Sequence, residues 1–173
     1  QKGTGAWTGQ TALGLGVAAP ASAEAAFARA ASAASAVRAA VRGADLDATG
    51  GPAPLGPGEI EAFVTSVRRA LYGSKIAAYA QGFDEIATAS KQFDWNIDLG
   101  AMARIWRGGC IIRARFLDDI TRAYAENPSL ASLLTAPVFA SSLAKVLPAW
   151  RQVVATSATT GVPAPAFASS LAY

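Results

Sequence analysis

The residues best equipped for chemistry in this sequence stand at its beginning. Lys2-Gly3-Thr4-Gly5 offers an ammonium, backbone amides free of side-chain cover and a hydroxyl in one short stretch. Those are the groups that a phosphate or carboxylate needs. Short Gly/Thr/Lys loops are more often plain turns, so this loop alone does not specify a ligand. Arg29 is the second candidate. It stands in an alanine-rich run where nothing else is charged between Glu24 and Arg38. A guanidinium there either snorkels to solvent or grips an anion with two parallel hydrogen bonds. Trp106-Arg107-Gly108-Gly109-Cys110-Ile111-Ile112-Arg113 mixes aromatic, cationic and glycine residues with an apolar pair, and reads best as a tight junction between helices. Cys110 within it is expected to be a buried, inert thiol. Asp84-Glu85 and Asp118-Asp119 are sequence neighbours, so their carboxylates point in different directions on a helix. They are expected to be solvated faces, not paired acid–base groups.

The elements that must hold these groups are helices. From Glu59 to Phe93 apolar residues recur at Ile60, Phe63, Val64, Val67 and Leu71, then at Ile76, Tyr79, Ala80, Phe83 and Ile86. That is helical spacing. Pro57 suits a first helical turn, and no proline follows until Pro128. One rod of roughly 50 Å is expected as the central pillar. Gly73 and Gly82 inside it each cost about 1 kcal/mol against alanine, and the expected compensation is close approach of another helix. Ser74, Tyr79 and Gln81 mark a buried, partly polar contact surface.

Upstream, a short helix Gln10–Leu15, with Thr4 or Thr8 as its N-cap, should end at Gly16. A second helix is expected over Glu24–Val41. Glycines and prolines between Gly43 and Gly58 predict a mobile surface loop. Downstream, Asp98 should cap a helix that runs to Arg107 and breaks at Gly108-Gly109. A helix Ile111–Glu126 should follow, ended by Asn127-Pro128. Two or three helices should fill Leu130–Thr159, punctuated by Pro148. After a rigid turn over Gly161–Pro165, a last helix covers Phe167–Tyr173. No strand-like alternation occurs, so the expected fold is all-α, a multi-helix domain built around one long central helix.

Composition bounds the function. The 173 residues suffice for one core, and 52% hydrophobic with 16% charged residues excludes disorder. No apolar run reaches the ~18 residues of a membrane span. One cysteine and no histidine make a zinc site or a histidine-assisted nucleophile implausible. The lone cysteine leaves the cytoplasm as the default compartment. A net charge of +3 is mild and scattered. It suits a small anionic ligand and argues against nucleic acid. With neither an initiator methionine nor a signal-peptide core, the first residues read as the middle of a longer protein.

Several blocks then carry a family resemblance. QKGTGAWTGQTALGLGV opens the chain, FAR stands at 27–29 and ALYGSKIAAYAQGF at 70–83. IWRGGCIIRARFL follows at 105–117, AYAENPSLASLL at 123–134 and GVPAPAFASSLAY at 161–173. In that order they resemble the C-terminal half of decarboxylating 6-phosphogluconate dehydrogenases. The stretch 30–58 departs most from the family pattern, and Ala6 stands where the family usually has a basic residue. The resemblance implies that residues 1–173 form the all-helical C-terminal domain, the N-terminal Rossmann domain and the C-terminal tail lying outside it. It implies a homodimer that oxidises 6-phosphogluconate with NADP and releases CO2 to give ribulose 5-phosphate in the pentose phosphate pathway, without metal. NADP would be bound mainly by the Rossmann domain. Lys2 and Arg29 match the family's substrate-phosphate ligands, with Thr4 a third. No catalytic, cofactor-binding or metal-binding residue falls in this segment, so it should be inactive alone. The rival reading is a non-catalytic helical association module, a truncated or decayed paralogue, which an upstream GxGxxG strand–helix unit would exclude.

Overall fold

The computed structural model describes residues 4–44, 46 and 55–173. Lys2 and most of the loop expected to be mobile lie outside them. The described residues form eight α-helices and one 3-10 turn, with no strand among them. No described helix is long and apolar enough to cross a membrane.

The expected rod is α4 (Pro57–Gln92), 36 residues without a break. Pro57 sits in its first turn, where a missing N–H leaves nothing unpaired. The Glu59 carboxylate accepts from the Gly56 N–H at 2.8 Å, which is one half of a capping box, since Gly56 has no side chain to return the bond. Along α4 lies α7 (Pro137–Thr160), a single helix despite Pro148. The break expected there does not occur. An internal proline costs about 3 kcal/mol, but Val146, Ala149, Trp150 and Val153 around it are all buried. Each large side chain among them returns about 1.5–3 kcal/mol on burial, so packing outweighs the lost bond.

Gly73 permits that packing. A Cβ there would fall 2.7 Å from Trp150 Cε3 and 3.0 Å from Val146 Cγ2. Gly82 differs from its expectation, because no atom approaches within 4 Å of its added Cβ. Two cores result. In one, Ala70, Ala77, Trp150 and Val153 are packed by Phe63, Val67, Phe167 and Leu171. The other gathers Ile76, Phe83, Leu117, Ile120, Tyr124, Leu133 and Phe139. Phe83 lies 5.0 Å from the Trp106 ring and 5.5 Å from Tyr124.

After α4, Asp94 and Asn96 take left-handed backbone (φ 56° and 53°) and turn the chain. Asp98 Oδ1 then accepts from the Ala101 N–H at 2.9 Å and caps α5 (Leu99–Ile105). Helix α6 (Leu117–Glu126) begins six residues later than expected. The carbonyls of Ile112 and Ala114 are taken by the Tyr79 hydroxyl and Arg107 Nη1, so the intervening chain follows side-chain partners. Ile112 is consequently exposed. Cys110, on this loop, is partly exposed and not the buried thiol expected. The last helix, α8 (Pro165–Ala172), starts at its proline. Two anchors hold it: Trp150 Nε1–H donates to the Phe167 carbonyl at 3.1 Å, and the Tyr173 hydroxyl donates to Asp84 at 2.5 Å.

The N-terminal part differs most from expectation. Helix α1 (Gly5–Leu15) starts five residues early, and the single helix 24–41 is two: α2 (Pro20–Ala33) and α3 (Ser35–Gly43), broken at Ala34 (ψ 64°). Nothing in the alanine run marks the break. It falls where packing stops, since α2 buries Ala21 and contacts α1, α4 and α8, whereas α3 buries no residue.

The two glycines of α4 yield opposite predictions. Gly73→Ala should destabilise the protein by about 1–3 kcal/mol through overpacking against Trp150, although alanine is the better helix former. Gly82→Ala should stabilise it by about 0.5–1 kcal/mol. Urea unfolding of both variants checks this, and equal effects would contradict it.

Candidate functional site

Thr4 and Arg29 sit on a helical hairpin. Gly16 takes the left-handed conformation (φ 69°) at the end of α1, and the N–H groups of Gly16 and Val17 return to the Leu13 and Ala12 carbonyls. Pro20 then opens α2 in its first turn. The two helices meet at Gly9, where an added Cβ would lie 3.6 Å from Ala23. Carrying that contact outward along both helices brings the start of α1 level with the Ala28–Arg29 part of α2. Thr4 and Arg29 therefore share the open end of the hairpin.

That end is chemically unspent. Thr4 is the N-cap of α1, but its hydroxyl caps nothing. Its carbonyl accepts from the Thr8 N–H (3.0 Å) and hydroxyl (3.3 Å). The first N–H groups of an α-helix have no intrahelical partner and carry the positive end of its dipole. Arg29 is exposed and forms no ion pair among the described residues. A guanidinium, a hydroxyl and free amides at one end suit an anion. Lys2, the third candidate, lies outside the described residues.

The other ionisable groups serve the fold. Asp118 and Asp119 lie at the surface as expected, where they pair with Arg107 at 3.3 Å and Arg122 at 2.5 Å. Asp84 is not a solvated face. It is partly buried against Tyr173, and burial raises its pKa above the usual aspartate range, opposed by hydrogen bonds from Tyr173 and Ser132. Burial, with the adjacent Asp84, pushes Tyr173 up to about 12. Tyr124 is raised too, by burial and then by Asp84. Burial likewise raises Tyr79, with the Cys110 charge second. These tyrosines keep their protons at neutral pH, and Tyr79 and Tyr173 act as hydrogen-bond donors. No group of His, Cys, Asp and Glu suited to a metal occurs among the described residues.

The contact that residue types alone did not disclose is on Gln81. It is fully buried, and its Oε1 accepts from the Ala21 N–H at 2.9 Å, joining α4 to the start of α2. The sequence singled it out only as a polar residue on an apolar face.

Comparison with known proteins agrees with this architecture. The family model described as 6-phosphogluconate dehydrogenase, C-terminal domain, matches residues 1–173. The "6-phosphogluconate dehydrogenase, decarboxylating" of Synechococcus elongatus is 47% identical over 175 residues, covering 100% of this chain and 36% of its own length. The protein of that description from Escherichia coli K12 is 44% identical over 172 residues, covering 99% of this chain and again 36% of its own. Among solved structures, Plasmodium falciparum 6-phosphogluconate dehydrogenase superposes with a TM-score of 0.88 at 37% identity, over 100% of this chain and 37% of that one. It was solved in its apo form, with its cofactor NADP+ and with its substrate 6-phosphogluconate. The chain thus spans just over a third of the length of these relatives. It belongs to the 6-phosphogluconate dehydrogenase family.

Proposed function

We propose that this chain is the helical C-terminal domain of an NADP-dependent enzyme that oxidises and decarboxylates 6-phosphogluconate to ribulose 5-phosphate and CO2 in the cytoplasm. The observation that carries the reading is the match over the whole chain at 44–47% identity to decarboxylating enzymes. In this reading the domain binds substrate and pairs subunits. Arg29 grips the substrate phosphate as a rigid fork, Lys2 adds a point charge and Thr4 a hydroxyl. Together with the N-terminus of α1 they fix the phosphate end of a chain whose other end reacts.

The residues described here do not fit the dinucleotide itself. A dinucleotide cradle needs a strand, a glycine-rich turn and a helix, whereas the glycines from Gly5 to Gly16 belong to α1 and its cap, and no strand occurs among the described residues.

Association rests on a different surface. Ile60, Val64 and Leu71 fall on one side of α4 and are about half exposed. Val37 and Val41, four residues apart on α3, are exposed as well. In this reading a second copy covers these stripes, most simply about a two-fold axis.

In the full-length protein, Arg29→Ala should weaken 6-phosphogluconate binding by about 2–4 kcal/mol, the scale for truncating one partner of a buried charge pair. Steady-state kinetics on 6-phosphogluconate and on plain gluconate checks this. Equal losses on the two substrates would mean that Arg29 does not hold the phosphate.

Wild-type protein should be a dimer by light scattering at micromolar concentration, and Leu71→Glu should shift it towards monomer by placing a charge in the covered stripe. A monomeric wild type would contradict the pairing.

A further inference from the structure

The start of α2 lacks the usual means of closing a helix. Its N-cap is Ala19, which has no side-chain acceptor, and no side chain of its own turn caps it. Pro20 has no N–H to satisfy. The Ala21 N–H is therefore the first donor in need of a partner, and Ala21 is buried where water cannot supply one. Gln81 supplies it from α4, sixty residues away in sequence, at 2.9 Å. The donor fixes the orientation of the amide, because a flipped Gln81 would turn Nε2 towards another N–H. Nε2 then has no partner among the described residues although the side chain is 0% exposed. A methionine would fill the same space without that orphaned donor. What the glutamine adds is the bond to Ala21.

Helix α2 also packs against α1 and α8, with Ala21 its one fully buried residue, and at Gly9 its contact with α1 is alanine against glycine. Arg29 lies eight residues further along the same helix, about 12 Å from the pinned end at 1.5 Å per residue. A shift or rotation of α2 at Ala21 is carried along a stiff helix to the guanidinium.

We infer that Gln81 is a positioning residue for the phosphate site: it pins the N-terminus of α2 to the central helix and thereby sets where Arg29 stands. The inference rests on the assignment of Arg29 to the substrate phosphate. Gln81 itself touches no substrate.

The test uses full-length protein with Gln81→Met, Gln81→Glu and Arg29→Ala, alone and combined. Gln81→Met should lower kcat/KM for 6-phosphogluconate roughly tenfold, mainly through KM, and that for gluconate less than about twofold. Gln81→Glu, held in its neutral form by the fully buried site, keeps an acceptor for the Ala21 N–H and should restore kcat/KM to within about threefold of wild type. In the Arg29→Ala background, Gln81→Met should add nothing, because it acts through the arginine. Gln81→Asn, which withdraws the oxygen by one methylene, replaces the methionine variant if that does not fold, with the same expectation. Equal losses on both substrates, or additive losses in the double variant, would overturn the inference and leave the Arg29 assignment standing. A wild type that does not turn over 6-phosphogluconate, or an Arg29→Ala variant with unaltered phosphate preference, would overturn that assignment and this inference together.

Discussion

A glycine at position 73 lets the indole of Trp150 lie against the backbone of α4, and the rest of the domain follows from that approach. It brings α7 within van der Waals contact of the central helix and buries Val146, Ala149 and Val153 beside it. Those contacts carry α7 straight through Pro148, which places Trp150 to hold Phe167 of α8. The same three turns of α4 then serve further neighbours in sequence order. Tyr79 takes the Ile112 loop, Gln81 the start of α2, Phe83 the rings of Trp106 and Tyr124, and Asp84 the end of α8. A helix turns about 100° per residue, so these successive residues face different directions, and one rod addresses α2, α6, α7 and α8.

The domain is accordingly firm at its centre and lightly held at its N-terminal edge. Phe83, Phe139, Leu117 and Leu133 are shut away around α4, whereas α1 and α2 each bury one alanine and α3 buries nothing. The cation and hydroxyl assigned to the phosphate stand on this lighter edge. Small side chains let α1 and α2 meet closely at Gly9 and Ala23, and packing against α8 together with polar and backbone links holds the hairpin in register. The Gly16 cap and the Gln81 bond are such links.

What the sequence made legible follows from where local signals agree with packing. The α4 rod, the Gly16 and Gly161 ends, the Asp98 cap and the all-α class could all be read from spacing and capping residues, because no tertiary contact opposes them. The continuity of α7 could not be read, since a proline is a strong local signal and the burial of Val146, Ala149, Trp150 and Val153 that overrules it is set by partners distant in sequence. The late start of α6 depends on Tyr79 and Arg107 claiming carbonyls from elsewhere in the fold. The division of α2 from α3 has no residue signal at all: Ala34 is one alanine among many, and only the end of packing marks it. For the site, residue types pointed to Thr4 and Arg29 separately. Their placement at the same end of the hairpin depends on the Gly9–Ala23 contact, and the proposed support by Gln81 on a bond across sixty residues.

The open end of the α1–α2 hairpin is the proposed seat of the substrate phosphate. A crystal structure of the full-length protein with 6-phosphogluconate bound tests it most directly. The account requires phosphate oxygens within hydrogen-bond distance of the Arg29 guanidinium and the Thr4 hydroxyl, with Lys2 beside them. A phosphate seated elsewhere, with Arg29 left in solvent, would contradict it.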